Sequence, residues 1–193
     1  MSTATTENIL NEVFGLIEKH GESEYFGEPV SIKEHMIQCA MLAEEENYSK
    51  EVILGAFFHD FGHFLQMEGK QNLMIVDGVV LGTSNHEKIA AEYLEARNFS
   101  PIICNITRHH VNAKRYLVFK NKSYYESLTE ASKQTLQLQG GVMSEEEAGE
   151  FERQPMFDLI IQARKWDEEG KDPNKVLKPI EYYRNMCAGI LKK

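Results

Sequence analysis

The chain has 193 residues, which is enough for one domain of ordinary size with a substantial core. Hydrophobic residues make up 42% and charged residues 26%, a balance typical of globular proteins. The formal net charge of −9 argues against a broad nucleic-acid surface, because phosphate binding draws on clustered Lys and Arg.

The first part of the chain predicts three helices in succession. The first carries apolar residues at positions 9, 10, 13, 14 and 17, and Gly21 ends it. A capping-box pattern at Ser31 and Glu34 starts the second helix. Ser49 caps the third, which ends near position 59, and Gly62 is consistent with a break there.

The rest of the chain also predicts helices, after a loop-rich, glycine-containing stretch over about 66–85. One helix begins near His86, and Ser100-Pro101 signals the next. Further helices are predicted over 129–136, after a capping box at Ser144 and Glu147, over 156–169, and from Pro179. Without repeats or linkers, the sequence predicts an all-α fold with a single domain over 1–193.

Other features bear on the compartment. No apolar run approaches the ~18 residues needed to span a bilayer, so no membrane association is expected. The N-terminus lacks the basic and apolar regions of a signal peptide. Cys39, Cys104 and Cys187 are odd in number and widely spaced, which predicts free thiols in a reducing cytoplasm.

Potential metal ligands recur along these helices. The ordered set is His35, His59, Asp60, His86, His110 and Asp167. Imidazole and carboxylate groups suit iron, manganese or zinc, and a bridging carboxylate could serve two metals. The His59-Asp60 pair follows an apolar run, where ionisable groups need a partner because an unpaired buried charge is costly. Considered alone, His35 or His86 would more often be a polar or core histidine than a metal ligand. Asp167 could instead form an i,i+3 salt bridge with Arg164.

The ordered set resembles the HD-domain superfamily of helical metal-dependent proteins, most of which are phosphohydrolases. Four segments narrow the resemblance: Tyr-Phe-Gly-Glu at 25–28, His-Asp-Phe-Gly-His at 59–63, His-Val-Asn-Ala-Lys-Arg-Tyr at 110–116 and Arg-Lys-Trp-Asp at 164–167. They are similar to those of the mixed-valent di-iron oxygenases that break carbon–phosphorus bonds. The similarity covers nearly the whole chain and implies an HD-domain helical bundle.

The resemblance implies two iron ions in the Fe(II)/Fe(III) state, with O₂ as co-substrate. The first iron would be held by His35, His59, Asp60 and Asp167, and the second by the bridging Asp60 with His86 and His110. The implied reaction cleaves the C–P bond of a 1-hydroxy-2-aminoethylphosphonate, with a primary or trimethylated amine. The products would be phosphate and either glycine or glycine betaine.

A substrate pocket is implied as well. His63 and Lys114 each lie four residues after a ligand, so with Arg164 they are expected to receive the phosphonate; the alternative is a set of solvated cations. Ser132 is expected to add a hydroxyl donor. The resemblance implies that Tyr25 covers the second metal until substrate arrives and that Glu28 meets the cationic nitrogen. Tyr25 and His63 are the expected catalytic residues; alternatively, Tyr25 packs on the core and Glu28 sits in water.

Two competing functions remain at this stage. A metal-dependent phosphohydrolase of the same fold would act on a nucleotide or small phosphate ester and would activate water instead of O₂. A ligand-binding sensor would use the pocket without turnover. Strict dependence on O₂ separates the oxygenase from both. The sequence leaves the oligomeric state and the amine state of the substrate open.

Overall fold

Helices dominate the computed structural model, which describes residues 3–25, 27–69, 73–76 and 78–191. The helices are α1 (Thr3–His20), α2 (Ile32–Glu45), α3 (Lys50–Phe58), α4 (Gly62–Met67), α5 (His86–Glu95), α6 (Pro101–Lys120), α7 (Lys122–Ser127), α8 (Glu130–Leu138), α9 (Glu145–Glu152), α10 (Phe157–Glu169) and α11 (Ile180–Leu191). The predicted all-α class is confirmed. Phe26, within the first of the four segments, lies outside the described residues.

The predicted helix starts are capped as the sequence indicates. Ser31 Oγ accepts from the Glu34 backbone N–H, and the Glu34 carboxylate accepts from the Ser31 N–H at 2.7 Å. Ser49 and Ser100 each accept a backbone N–H three residues on. Each cap satisfies donors that a helix start leaves unpaired, so the ends of α2, α3 and α6 are fixed locally.

The core centres on α3, whose residues 52–58 are all buried. Helices α2 and α6 pack on either side of α3, and α5 and α10 pack on α6. The start of α5 lies very close to the junction of α3 and α4. A Cβ at Gly62 in this junction would lie 2.0 Å from the His86 carbonyl oxygen. A glycine at this position therefore lets the start of α5 lie directly against the junction that carries Asp60.

The structure differs from the sequence prediction in several elements. The stretch predicted as loop-rich contains the end of α4 and an antiparallel hairpin of β1 (Leu73–Val76) and β2 (Val79–Thr83). Gly78 takes a φ of +82° between the two strands. Helix α7 was not predicted. Met156 has a φ of +68°, so α10 begins one residue later than predicted.

Among the described residues, no helix combines the length and apolar character that crossing a membrane requires.

Candidate metal centre and substrate cleft

Asp60 lies at the junction of α3 and α4, and its two carboxylate oxygens face different groups of histidines. Oδ2 is 3.3 Å from His59 Nε2 and 3.6 Å from His35 Nε2. Oδ1 is 3.3 Å from His86 Nε2 and 3.4 Å from His110 Nε2. One buried carboxylate therefore joins two adjacent clusters of donor atoms.

The first cluster is completed by α2 and α10. His35 Nε2 lies 3.1 Å from His59 Nε2. Asp167 Oδ1 lies 3.4 Å from His35 Nε2 and 3.9 Å from His59 Nε2. Donors bound to one ion at about 2.1 Å lie about 3.0 to 3.4 Å apart in octahedral or tetrahedral geometry. The spacing of these four donors fits a single metal ion.

The second cluster is built from α5 and α6. His86 Nε2 lies 3.0 Å from His110 Nε2, and both face Asp60 Oδ1. His63 stacks on His86 with ring centroids 4.1 Å apart, and its Nε2 is 3.7 Å from Asp60 Oδ1. The second cluster therefore has three close donors and one neighbouring imidazole.

Backbone carbonyls fix the tautomers of the four predicted histidine ligands. The Nδ1 atoms of His35, His59, His86 and His110 lie 2.7 to 3.0 Å from the carbonyl oxygens of Gly170, Ala56, Thr83 and Thr107. A carbonyl can only accept, so each Nδ1 carries the proton and each Nε2 is turned toward the centre. This arrangement is characteristic of metal-bound histidine.

The centre also demands positive charge. Nε2 atoms about 3 Å apart would repel each other through their lone pairs unless a proton or metal ion lies between them. Burial lowers the pKa of His59, but the Asp60 and Asp167 carboxylates raise it to about 9. Asp60 Oδ2 is buried without a hydrogen-bond partner among the described residues. The donors present therefore fit a pair of bound cations.

Both carboxylates are ionised. Burial would raise the pKa of Asp60, but the charge of His59 and the neighbouring His110 imidazole hold it well below its usual value. Burial likewise opposes ionisation of Asp167, and the Arg164 cation holds its pKa well below the usual range. The centre thus offers anionic oxygen ligands at neutral pH.

Cys39 lies close enough to His35 and His59 to be considered as a ligand. Its thiol donates to the Trp166 carbonyl oxygen at 3.4 Å. Burial, followed by the charge of Asp167, raises the pKa of this thiol well above its usual value. Since the thiolate is the form that binds metals, Cys39 is better described as a packed core thiol.

A cleft of about 490 Å³, including its solvent-filled mouth, opens onto the centre. It is lined by Asp60, His86, His110 and Asp167 and by every residue predicted to contact substrate: Tyr25, Glu28, His63, Lys114, Ser132 and Arg164. Helix α8 packs against the hairpin along one side. The structure therefore gathers the predicted metal and substrate residues into one site.

The Lys114 amine is buried in this cleft, with 3% of the residue's surface exposed. Its Nζ donates to Thr135 Oγ1 at 3.0 Å. Burial, together with the Arg164 charge, lowers its pKa to about 7. A solvated surface cation, the alternative for this residue, is therefore excluded.

Arg164 is also buried, and it makes contacts on three sides. Its Nη1 lies 2.5 Å from Asp167 Oδ2, its Nη2 contacts Glu168, and its Nε donates to the Tyr124 hydroxyl at 3.0 Å. The i,i+3 salt bridge considered for Asp167 is thus present. It uses Oδ2, while Oδ1 faces the first cluster, so the two interpretations are compatible.

Tyr25 and Glu28 form the wall of the cleft nearest α2. The Tyr25 ring stacks on His35 with centroids 4.2 Å apart. Burial and the charges of Asp60 and Asp167 raise the pKa of its phenol well above the usual value. Glu28 Oε1 accepts from Thr129 Oγ1 at 2.8 Å and pairs with Lys171 Nζ at 3.1 Å. Glu28 is therefore held inside the cleft, and the alternative of a carboxylate in water is wrong.

Sequence reasoning missed three polar residues of the site. Thr83 Oγ1 lies 2.8 Å from His63 Nδ1 and fixes that ring. Thr135 holds Lys114, and Lys171 holds Glu28. None of them carries a sequence signal, because each reaches its partner through tertiary packing.

Comparison with known proteins identifies the family. Residues 32–149 match the HD domain. The chain is 44% identical over 184 residues to an uncharacterized protein (L432) of Acanthamoeba polyphaga mimivirus, covering 95% of this chain and 82% of that protein. It is 41% identical over 186 residues to the [1-hydroxy-2-(trimethylamino)ethyl]phosphonate dioxygenase (glycine-betaine-forming) of Leisingera caerulea, covering 96% and 92%.

A further relative is the hydroxymethylphosphonate dioxygenase of Gimesia maris, which is 35% identical over 184 residues, covering 95% of this chain and 88% of the relative. The chain is therefore a dioxygenase of the HD domain family.

Proposed function

We propose that this protein uses O₂ to cleave the C–P bond of a 2-amino-1-hydroxyethylphosphonate, with a primary or trimethylated amine. The products are phosphate and glycine or glycine betaine. One oxygen atom of O₂ enters the carboxylic acid and the other enters phosphate, so no additional reductant is consumed. The observation that carries the proposal is the carboxylate-bridged pair of donor clusters beside a cleft that buries Lys114 and Arg164.

Two iron ions in the mixed-valent Fe(II)/Fe(III) state are the proposed cofactors. His35, His59, Asp60 and Asp167 would hold one, and Asp60, His86 and His110 would hold the other. Bound iron would supply the redox chemistry that O₂ activation needs, which redox-inert zinc lacks.

The protein side chains bind and orient the phosphonate in this proposal. Lys114 contributes a point charge, and Arg164 contributes a planar set of donors; both suit a phosphonate oxyanion. Ser132 on α8 lines the same cleft and adds a hydroxyl. Because Arg164 is already held by Tyr124, Asp167 and Glu168, it would present its remaining donors in a fixed direction.

Tyr25 and His63 are proposed as the catalytic groups next to the two clusters. Tyr25 stacks on a ligand of the first cluster, and His63 stacks on a ligand of the second. Although its ring stacks on His35 of the first cluster, Tyr25 would cover the second metal before substrate arrives and so limit wasteful reaction with O₂. His63, oriented by Thr83, would hydrogen-bond to the reacting groups.

The names of the relatives support a phosphonate substrate. The Leisingera caerulea and Gimesia maris proteins are both dioxygenases of hydroxyphosphonates, one with a trimethylamino group and one without an amine. A hydroxyphosphonate head group is common to the two. The cationic residues of the present cleft are suited to that same group.

We also propose a cytoplasmic location. Cys39, Cys104 and Cys187 are buried free thiols, which suit a reducing compartment.

An oxygen-electrode assay tests the proposal. Iron-loaded protein is given 2-amino-1-hydroxyethylphosphonate, its trimethylammonio analogue or 1-hydroxyethylphosphonate, and O₂ uptake and phosphate release are both recorded. We expect equal amounts of O₂ consumed and phosphate formed with at least one amine, and neither under anaerobic conditions. Phosphate release from these phosphonates without O₂, or full activity in the zinc-loaded protein, would show that hydrolysis and not oxygenation breaks the C–P bond, and would overturn the proposal.

A further inference from the structure

An ion pair between Lys171 and Glu28 lies in the wall of the cleft. The two side chains are each 10% exposed, and Lys171 Nζ lies 3.1 Å from Glu28 Oε1. Lys171 Nζ also lies 5.9 Å from the centroid of the Tyr25 ring. Both charged groups line the cleft that Lys114 and Arg164 share.

The backbone around Lys171 is anchored to α2 on both sides. The preceding carbonyl, of Gly170, accepts from His35 Nδ1 at 2.9 Å. The following residue, Asp172, exchanges two hydrogen bonds with the Gln38 side chain, at 2.9 and 3.0 Å. Lys171 is therefore held in place by the same helix that supplies a ligand of the first cluster.

The pairing changes what Glu28 can offer to a substrate. Glu28 Oε1 accepts from both Thr129 and Lys171, whereas Oε2 makes no hydrogen bond or ion pair with any residue that the structure describes. The pair as a whole has no net charge, so it attracts a distant cation only weakly. The free Oε2, by contrast, remains a good acceptor for a group that donates a hydrogen bond.

We propose that Lys171 determines specificity by making the cleft prefer a primary ammonium over a trimethylammonium group. A primary ammonium can donate N–H to Glu28 Oε2, whereas a trimethylammonium has no N–H and depends on net charge, which Lys171 cancels. Lys171 acts as a positioning residue through Glu28. The inference rests on the proposed function, and it narrows the substrate class to phosphonates with a primary amine.

Substituting Lys171 tests this inference. Lys171→Met removes the charge, Lys171→Arg retains it, and Lys175→Met removes a lysine that pairs with Glu45 outside the cleft. The three phosphonates above are compared by kcat/KM and by anaerobic dissociation constants.

We expect the unmodified protein to prefer the primary amine to the trimethylated one by about tenfold or more, and Lys171→Met to reduce that ratio by about tenfold. The kcat/KM for 1-hydroxyethylphosphonate, which has no amine, should change by less than about threefold in Lys171→Met. Lys171→Arg and Lys175→Met should keep the original ratio.

An unchanged ratio in Lys171→Met, or an equal loss on all three substrates, would refute the role of Lys171 while leaving the proposed function intact. A preference of the unmodified protein for the trimethylated amine would also overturn it. Failure of all three phosphonates to bind and to support O₂ uptake would refute the proposed function and this inference together.

Discussion

Lys114 should take up a proton when the protein binds a phosphonate. Its pKa is lowered from 10.5 to about 7, because burial and the Arg164 cation outweigh the Asp167 and Glu168 carboxylates. That difference corresponds to a cost on the order of 5 kcal/mol for protonating Lys114 in the cleft instead of in water. A bound phosphonate dianion restores a counter-charge, so the pKa of Lys114 should rise in the complex.

The size of the proton uptake follows from the titration of Lys114 alone. At pH 8, above this pKa, Lys114 is mostly neutral in the ligand-free protein, so binding should take up close to one proton. For the same reason, the dissociation constant should rise with pH above pH 7, by up to about tenfold per pH unit. The phosphonate is itself mostly dianionic at pH 8 and should contribute little.

Isothermal titration calorimetry in buffers of different ionisation enthalpy measures this uptake directly, on anaerobic protein. Lys114→Met retains the length of the side chain without the charge. It should bind about 100-fold more weakly and take up no proton at pH 8. Equal proton uptake by Lys114→Met and the unmodified protein would refute the reasoning, as would a binding constant independent of pH between 7 and 9.

The remaining predictions concern the metal ligands, the amine and the fold. Asp60→Ala should lose both metal ions, whereas His86→Ala should mainly empty the second cluster; metal analysis of the purified variants decides, and equal losses would contradict the bridge. Glu28→Ala should raise the KM of amine-bearing phosphonates by about tenfold more than that of 1-hydroxyethylphosphonate, since it leaves Lys171 unpaired; equal losses would show that Glu28 does not recognise the amine. Gly62→Ala should destabilise the fold by about 2 kcal/mol or more in thermal or denaturant unfolding, because its Cβ would meet the His86 carbonyl. Gly15→Ala, which meets nothing within 4 Å in the middle of α1, should instead stabilise the protein by about 0.5 to 1 kcal/mol. Similar melting temperatures for the two glycine variants would show that Gly62 is not a tight contact.

Local sequence signals predicted the helices well where capping chemistry starts them. The capping boxes at Ser31 and Ser144 and the Ser100-Pro101 start all appear in the structure. The hairpin was missed because its glycines were interpreted as a loop. The Asp-Gly dipeptide at 77–78, between Leu-Met-Ile-Val and Val-Val-Leu, is a hairpin signal that could have found it.

In the site, too, some features could be predicted from the sequence and others could not. The ordered ligand set, together with the family resemblance, predicted which side chains lie at one site, and the structure brings them together. Their roles as metal ligands and substrate contacts stay a prediction. The partners of those side chains could not be predicted, because Lys171 meets Glu28 across 143 positions and Thr83 meets His63 across 20. Ion pairs and hydrogen bonds of this kind depend on how α2, α10 and the hairpin pack, which no local pattern specifies.

The backbone carbonyls that orient the histidines have a consequence for how this centre tolerates mutation. The acceptors for His59 and His110 are the main-chain oxygens of Ala56 and Thr107, three residues earlier on the same helical turn. Any residue that maintains the helix supplies the same oxygen. Both positions are buried, so packing limits which side chains fit there, but every residue that fits supplies the same carbonyl. Homologous proteins can therefore exchange these side chains without altering which imidazole nitrogen faces the centre.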